Sequence, residues 1–371
     1  LAPGQLNAAP NLDLVTANFG NSTIGLFFGQ GDGSFQLGGN LPTGSGPIAV
    51  TTGDINNDGF TDILTANYYD ATVSIFLGDG NGGFTRITNF SVGSYPHSIK
   101  LADFNGDGKL DFVTGNYNSG NLSVALGNGD GTFAAPVAYP TGANPYGVAV
   151  GDLNNDGKLD LVVANQGSDT VSVLLGNGDG TFVAPVNYAA GDGPNSVEIA
   201  DLNGDGTLDL VALNANANTV SIFFGTGGGA FAAATNYPTG TSNPYQAIVA
   251  DFNGDGRPDI AIAGYSSSQL SLLMNQGGGV FPAPIVYSRS GNPISLVAGD
   301  FNHDGRIDIA TADYYGYSIS ILTGNATESL VEDPPGSNIR TSAGRGNIWS
   351  STDFDYWSFT GTNGDLLTVA A

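Results

Sequence analysis

The chain has 371 residues, no cysteine, and 9 Lys and Arg side chains against 34 Asp and Glu, so its formal net charge is −25. This acidic balance argues against nucleic acid and anionic membrane surfaces as partners. The lack of cysteine excludes disulfides and thiol catalysis but does not decide the cellular compartment. No apolar run approaches the roughly 18 residues of a membrane-spanning helix, so we expect no membrane span.

The dominant feature is a nine-residue motif, Asp-x-Asn-x-Asp-Gly-x-x-Asp, which recurs every 49 or 50 residues. A decayed copy opens the chain at residues 5–13, where Gln5 and Ala9 stand in place of the carboxylates at positions 1 and 5. The six intact copies begin at Asp54, Asp103, Asp152, Asp201, Asp251 and Asp300. A fixed period of this length predicts a repeat protein with seven units.

Each period predicts four strands. In the unit that opens at Asn144, an apolar first strand covers residues 147–153 and a second strand covers 159–165 after the motif. A third strand covers 170–175, and a fourth covers 182–188 after a glycine-rich hairpin turn. Four strands per period are typical of a β-propeller blade, and seven blades are a common closure. The sequence therefore predicts an all-β, seven-bladed propeller with four-stranded blades.

The motif offers only oxygen ligands: carboxylates at positions 1, 5 and 9, an Asn carbonyl at position 3 and the backbone carbonyl of position 7. Such a set suits Ca²⁺ better than Mg²⁺ or Zn²⁺, and the glycine at position 6 permits a sharp turn. We predict one structural Ca²⁺ in each of the six intact loops and none in the decayed one; the alternative is Asx-rich turns without metal. The predicted ligands are Asp54, Asn56, Asp58, Phe60 and Asp62; Asp103, Asn105, Asp107, Lys109 and Asp111; Asp152, Asn154, Asp156, Lys158 and Asp160; Asp201, Asn203, Asp205, Thr207 and Asp209; Asp251, Asn253, Asp255, Arg257 and Asp259; and Asp300, Asn302, Asp304, Arg306 and Asp308.

Calcium also indicates a compartment. Repeated loops of this kind usually have dissociation constants of about 10⁻⁴ to 10⁻³ M and would be empty in a cytosol. We therefore expect the protein to be extracellular, either secreted or displayed on the cell surface.

With this motif between strands, the repeats resemble FG-GAP or VCBS repeats, which build the seven-bladed calcium-binding propeller of integrin alpha subunits and many bacterial surface proteins. The resemblance covers roughly residues 5–325. It implies that the calcium loops occupy one face of the propeller and that ligands bind the opposite face. The family's Gly-Ala-Pro is replaced here by Ala134-Ala135-Pro136 or Val183-Ala184-Pro185.

On that opposite face, the residue after a blade-opening proline varies while the framework repeats; the six are Ile48, His97, Tyr146, Asn195, Tyr245 and Ile294. The loops between second and third strands add Phe19, Tyr68, Tyr69, Tyr117, Tyr265, Tyr314, Tyr315 and Tyr317. Tyrosine on a rigid rim suits sugar rings or a protein partner. We predict a glycan or an extracellular protein as ligand, bound by His97, Tyr146, Asn195, Tyr245, Tyr68, Tyr117, Tyr265 and Tyr315. The alternative is that these rings only pack between blade edges.

Catalysis has less support in the sequence. His97 and His303 are the only histidines, and no nucleophile accompanies them in a recognisable motif. Glu198 lies in a first strand, in register with Ala149, where we expect it to line the central channel. We therefore predict a non-enzymatic adhesion or ligand-binding module. The alternatives are a polysaccharide lyase or hydrolase on the same scaffold, or a passive spacer.

The period stops after residue 325, and the third strand of the last blade has no obvious partner within its repeat, so closure would use residues just after 325 or a segment upstream. We predict a propeller at residues 1–325, a linker at 326–338 and a partial C-terminal β module at 339–371. The alternation from Asp353 onward resembles the start of a bacterial pre-peptidase C-terminal β-sandwich domain. We expect fusion to further domains in a longer protein.

Overall fold

Seven antiparallel sheets surround a central channel in the computed structural model, which describes residues 1–288, 291–316 and 318–324 and the backbone of residues 331–332, 340–341 and 355–360. Each sheet is a blade whose four main strands follow chain order from the innermost to the outermost. The predicted all-β, seven-bladed architecture with four-stranded blades is confirmed. The described part of the chain holds no helix long and apolar enough to cross a membrane.

The first four blades are formed by strands β1 to β17. Blade 1 contains β1 (Ala2–Gly4), β2 (Asp13–Asn18), β3 (Thr23–Gly29) and β4 (Phe35–Pro42), with a 3₁₀ turn at Phe19–Asn21; blade 2 contains β5 (Pro47–Gly53), β6 (Asp62–Asn67), β7 (Thr72–Gly78), β8 (Phe84–Arg86) and β9 (Phe90–Ser91); blade 3 contains β10 (Pro96–Ala102), β11 (Asp111–Asn116), β12 (Asn121–Ala125) and β13 (Val137–Pro140); blade 4 contains β14 (Pro145–Gly151), β15 (Asp160–Asn165), β16 (Thr170–Leu174) and β17 (Val186–Ala189).

The last three blades follow the same plan. Blade 5 contains β18 (Pro194–Ala200), β19 (Asp209–Asn214), β20 (Thr219–Phe223), the small hairpin β21 (Gly225–Gly227) and β22 (Ala230–Phe231), and β23 (Thr235–Pro238); blade 6 contains β24 (Pro244–Ala250), β25 (Asp259–Gly264), β26 (Gln269–Leu273) and β27 (Ile285–Ser288); blade 7 contains β28 (Pro293–Gly299), β29 (Asp308–Asp313), β30 (Ser318–Thr323) and the later strands β31 (Val331–Glu332), β32 (Arg340–Thr341) and β33 (Asp355–Thr360).

Blade 4 shows where the predicted strand limits differ from the structure. Its first strand begins two residues earlier than predicted, at Pro145, because a register shift lets the proline pair with Asn165. The strand ends at Gly151, since Leu153 already belongs to the motif turn and donates its amide to Asp160. The fourth strand begins only at Val186.

The hydrophobic core lies between blades rather than within them. Each of seven buried clusters joins the facing sheets of two neighbours, as where Val173 of blade 4 packs in one cluster with Leu210 of blade 5. The cluster between blades 7 and 1 includes Leu14, Phe35 and Phe301, and the two phenylalanine rings meet edge to face with centroids 5.9 Å apart. The same interblade packing therefore closes the ring between its first and last blades.

Blade 7 obtains its outer strand from far along the chain. Strand β33 pairs antiparallel with β30, with Ser318 opposite Thr360 and Thr323 opposite Asp355. No fourth strand was predicted within this repeat, and residues 355–360 were expected in a separate C-terminal module. Most of the predicted linker and of that module lies outside the described residues, so the domain division remains a prediction.

Candidate metal loops and aromatic face

Each intact motif forms a tight turn that is fastened by its own polar side chains. In blade 3, the Asp103 carboxylate accepts the amides of Asp107 and Gly108 at 3.2 and 2.8 Å. Asn105 Oδ1 accepts the Asp107 amide at 3.0 Å, and Asp107 Oδ1 accepts the Lys109 amide at 3.0 Å. The same four bonds recur in the other five intact loops. The side chains of positions 1, 3 and 5 are therefore held around a single turn.

The aspartate at position 9 is arranged differently. Asp111 is fully buried, and its two oxygens accept the amides of Phe104 and Gly127 at 2.8 and 2.7 Å. One carboxylate thus joins the motif turn to the end of the third strand. The equivalent residue in every blade is fully buried and accepts the same two kinds of amide; these seven, which we call the carboxylate clips, are Asp13, Asp62, Asp111, Asp160, Asp209, Asp259 and Asp308.

Blade 1 shows that the clip forms even where the motif has lost metal ligands. Its motif has lost the carboxylates of positions 1 and 5, where Gln5 and Ala9 stand. Asp13 nevertheless accepts the amides of Leu6 and Gly29, both at 2.8 Å. The clip therefore has a structural role of its own, which was not predicted from the sequence. The signal was available, because Asp13 persists in the copy that has lost two other ligands.

Burial makes the clips reluctant to ionise. It raises the pKa of Asp62 to about 6, with smaller contributions from the nearby carboxylates of Asp58 and Asp54. Burial likewise raises the pKa of Asp259 and of Asp308 to about 7. The two amides that each clip accepts act in the opposite direction but do not overcome burial. A cation beside a clip would favour the charged form and so stabilise the loop.

The ligand set of the loops fits a hard cation by its chemistry, since every side-chain donor is oxygen. Three loops carry a basic side chain at position 7 that pairs with the carboxylate at position 5: Lys109 with Asp107 at 3.3 Å, Lys158 with Asp156 at 3.6 Å, and Arg257 with Asp255. As the described loops stand, no three His, Cys, Asp or Glu side chains gather closely enough to hold an ion. Calcium in these loops remains a prediction, and its binding would draw the exposed carboxylates inward toward the clip.

On the opposite side, aromatic rings from six blades form a connected series across the channel mouth. Successive ring centroids lie 6.2 Å apart for Phe19–Tyr68, 6.0 Å for Tyr68–His97, 3.4 Å for His97–Tyr146, 6.1 Å for Tyr146–Tyr245, 6.2 Å for Tyr245–Tyr265 and 6.2 Å for Tyr265–Tyr315. Further contacts add four tyrosines. The complete set, which we call the aromatic arc, is Phe19, Tyr68, Tyr69, Tyr95, His97, Tyr117, Tyr146, Tyr245, Tyr265, Tyr314 and Tyr315.

The centre of the arc is half-buried. The hydroxyls of Tyr146 and Tyr245 are hydrogen-bonded at 2.8 Å, so a blade 4 ring meets a blade 6 ring across blade 5. Burial raises the pKa of both phenols. The imidazole of His97 lies against Tyr146 and near Tyr68 and Tyr117, and burial lowers its pKa to about 3. His97 is therefore neutral at physiological pH and part of an aromatic cluster.

The ends of the arc are open to solvent. Tyr69 and Tyr315 are 59% and 64% exposed, Tyr314 is 44% exposed and Tyr95 is 37% exposed. Tyr95 was not predicted from the sequence; it stacks on Tyr68 with centroids 4.5 Å apart. Its position just before a blade-opening proline could have indicated it.

The structure does not bring every predicted ligand residue to this surface. Asn195, the blade 5 member, is buried, and its Nδ2 donates to the Pro244 carbonyl at 3.0 Å. The arc also excludes Ile48 and Ile294, which are half-buried. Tyr317 lies outside the described residues.

Comparison with known proteins agrees with this geometry. The family model described as FG-GAP-like repeat matches residues 6–65, 54–114, 103–163, 152–212, 201–262 and 251–311. No curated protein sequence matches the chain.

Solved structures share the fold at low sequence identity. A lectin from Agrocybe aegerita, described as recognising non-reducing terminal N-acetylglucosamine, is 18% identical with a TM-score of 0.55, over 94% of this chain and 95% of that one. A protein from Lactobacillus plantarum is 13% identical with a TM-score of 0.62, over 91% and 95% of the two chains. Virginiamycin B lyase from Staphylococcus aureus is 14% identical with a TM-score of 0.53, over 75% and 81%. These likenesses establish the propeller fold alone, whereas six successive matches spanning residues 6–311 establish the family: the chain belongs to the FG-GAP-like repeat family and folds as a seven-bladed β-propeller.

Proposed function

We propose that this protein is a calcium-binding, extracellular recognition module of a larger secreted or surface protein, and that the aromatic arc is its ligand-binding surface. The observation that carries the proposal is the arc itself, a connected set of rings drawn from six blades onto one face. Exposed aromatic clusters of this kind are unusual on a surface that binds nothing.

The chemistry of the arc favours a neutral glycan. Tyr69, Tyr314 and Tyr315 are exposed, and a tyrosine side chain, like a sugar, combines apolar faces with a hydroxyl group. The net charge of −25 disfavours an anionic ligand. A protein partner with an apolar patch is the second candidate, since tyrosine is also enriched at the energetic centres of protein interfaces.

Calcium would act as a structural ion in the six intact loops. Positions 1 and 5 carry carboxylates on one turn, and the position 9 carboxylate lies just inside it, so a cation would relieve their mutual repulsion. At roughly 1 mM calcium and a dissociation constant of about 0.1 mM, one site would stabilise folding by about 1.4 kcal/mol. Such a concentration is extracellular, which supports the proposed location.

We propose no enzymatic activity. His97 has a pKa of about 3 and is surrounded by tyrosine rings, so it would be a poor general base at neutral pH. His303 lies in a motif loop and pairs with Asn11 at 3.0 Å. Among the described residues, no serine, threonine or carboxylate side chain forms a hydrogen bond with either histidine.

A glycan array and a panel of matrix proteins, probed in calcium and again in chelator, would test the proposal. We expect binding to one class of neutral glycan, lost in the variants Tyr69→Ala and Tyr315→Ala with unchanged unfolding midpoints. The matched control is Val137→Ala, because Val137 is 54% exposed on the outer strand of blade 3, away from the arc. Binding that survives both tyrosine variants would reject the arc as the site, and no binding at all would favour a spacer.

A further inference from the structure

A cavity of about 250 Å³ lies in the wall of the central channel, separate from the aromatic arc. It is lined by three pairs of adjacent residues from the first strands of blades 3, 4 and 5; these are Lys100 and Leu101, Ala149 and Val150, and Glu198 and Ile199. The cavity therefore spans three consecutive blades. It combines two opposite charges with aliphatic walls.

The strand register explains why the cavity exists. Lys100, Ala149 and Glu198 occupy the same position, four residues after the proline that opens each first strand. In blades 2, 6 and 7 this position holds the uncharged residues Thr51, Ile248 and Val297. Among blades 2 to 7, only blades 3 and 5 place a charged residue at this position. The small methyl side chain of Ala149 in blade 4 lies between these two charges and leaves a gap.

The two charges lack protein partners. Among the described residues, neither Lys100 nor Glu198 forms a hydrogen bond or an ion pair within 4 Å, although Lys100 attracts Glu198 electrostatically. Burial in the channel raises the pKa of the Glu198 carboxyl. The seven carboxylate clips offer a contrast, since each of those buried carboxylates accepts two backbone amides. Glu198 is half-buried and Lys100 is exposed, so both side chains are accessible from the channel to a ligand supplied from outside the chain.

The size of the cavity limits that partner. At about 30 Å³ per water, it would hold roughly eight waters or one small organic molecule. It is smaller than the roughly 300–1,000 Å³ of typical sites for larger ligands. An oligosaccharide bound at the arc would not fit here.

We propose that this cavity binds a small zwitterion of amino acid or betaine size, with its anionic group at Lys100, its cationic group at Glu198 and its carbon atoms against Val150, Leu101 and Ile199. A singly charged ligand would satisfy one of the two side chains and leave the other unpaired. The Tyr146–Tyr245 hydrogen bond narrows the channel at the arc, so the ligand enters from the face that carries the motif loops.

Isothermal titration calorimetry of the full chain with glycine betaine, β-alanine, γ-aminobutyrate and L-leucine tests this inference. Butyrate and butylamine serve as matched ligands with one charge each. We expect at least one zwitterion to bind, and about a tenfold or greater loss of affinity in Lys100→Met and in Glu198→Gln. Ala149→Leu, which fills the gap, should abolish binding.

Two control variants keep the interpretation specific. Val297→Leu changes the same strand position in blade 7, and Tyr315→Ala changes the arc; neither should alter zwitterion binding. If Ala149→Leu fails to fold, the two near-isosteric charge variants carry the test. The inference is overturned if no zwitterion binds, if butyrate or butylamine binds equally well, or if the charge variants leave the affinity unchanged. Loss of glycan binding in Tyr315→Ala would report on the arc alone.

Discussion

The carboxylate clip of blade 1 allows the structural and metal-binding roles of the motif to be separated by one substitution, Asp13→Ala. The change removes the acceptor of two buried amides, those of Leu6 and Gly29. A buried donor left without a partner costs about 1–3 kcal/mol, so the expected loss of unfolding free energy is about 2–6 kcal/mol. Asp13→Asn keeps one acceptor oxygen and should lose about half as much.

Urea unfolding followed by circular dichroism, once in calcium and once in chelator, measures this loss. Because the blade 1 motif lacks the carboxylates of positions 1 and 5, the loss should be equal in both conditions. The matched control is Asp58→Ala at position 5 of the intact blade 2 loop, where the carboxylate is exposed. That variant should differ little from wild type in chelator and lose about 1.4 kcal/mol in roughly 1 mM calcium if its dissociation constant is about 0.1 mM.

Two results would refute this reasoning. A silent Asp13→Ala variant would mean that the two amides find other partners, so the clip would not hold the blade together. A loss that appears only in calcium would mean that the decayed loop still binds metal through Asp13.

Three further predictions concern the same framework. In chelator, the unfolding midpoint should fall as pH rises from about 5 to about 7.5. The folded-state pKa values of Asp62, Asp259 and Asp308 lie above the unfolded value of about 3.9, so the folded chain binds more protons than the unfolded chain in this range. A midpoint that rises with pH would contradict this prediction. Gly127→Ala should lose about 1–3 kcal/mol of unfolding free energy in urea, because the new Cβ would collide with the Leu110 carbonyl. Its control, Gly20→Ala, has open space around the new Cβ and should change the unfolding free energy by less than about 0.5 kcal/mol. Tyr146→Phe should lose about 1 kcal/mol because the Tyr245 hydroxyl loses its partner, and an unchanged midpoint would indicate that water replaces it.

The repeat made most of the fold predictable from the sequence. The motif fixes where the first strand ends and the second begins, and the prolines at Pro96, Pro145 and Pro194 open successive first strands. Interblade packing needs only that each sheet be apolar on both faces, which the short apolar runs already indicate. Blade number and strand order therefore follow from local patterns repeated at a constant interval.

The features that were missed depend on contacts between distant parts of the chain. The outer strand of blade 7 lies about thirty residues beyond its partner β30, and the apolar alternation of Asp355–Thr360 would suit the edge of any sheet. The structural role of the clip was missed because its two amide donors lie 7 and 16 residues away in the chain. Asn195 was expected on the surface because Tyr146 and Tyr245 occupy the equivalent position in the neighbouring blades. Instead, its side chain is buried and donates a hydrogen bond to the Pro244 carbonyl of blade 6.

Backbone strain gives independent support to the arc. The residue before the blade-opening proline has a left-handed φ in all six blades that carry it, and these residues are Gly46, Tyr95, Asn144, Gly193, Asn243 and Asn292. Glycine and asparagine adopt this conformation readily, but tyrosine does so at a cost of about 1–2 kcal/mol.

Tyr95, with φ of 55°, recovers part of that cost by stacking on Tyr68, and 37% of its surface remains exposed. A strained backbone at a partly exposed aromatic residue is more consistent with ligand contact than with packing. Tyr95→Asn, which installs the residue used by blades 4, 6 and 7, should therefore leave the unfolding midpoint unchanged or slightly raised while weakening glycan binding. A clear loss of stability together with intact binding would instead show that Tyr95 is a packing residue, and the arc would then have to bind through Tyr69, Tyr314 and Tyr315 alone.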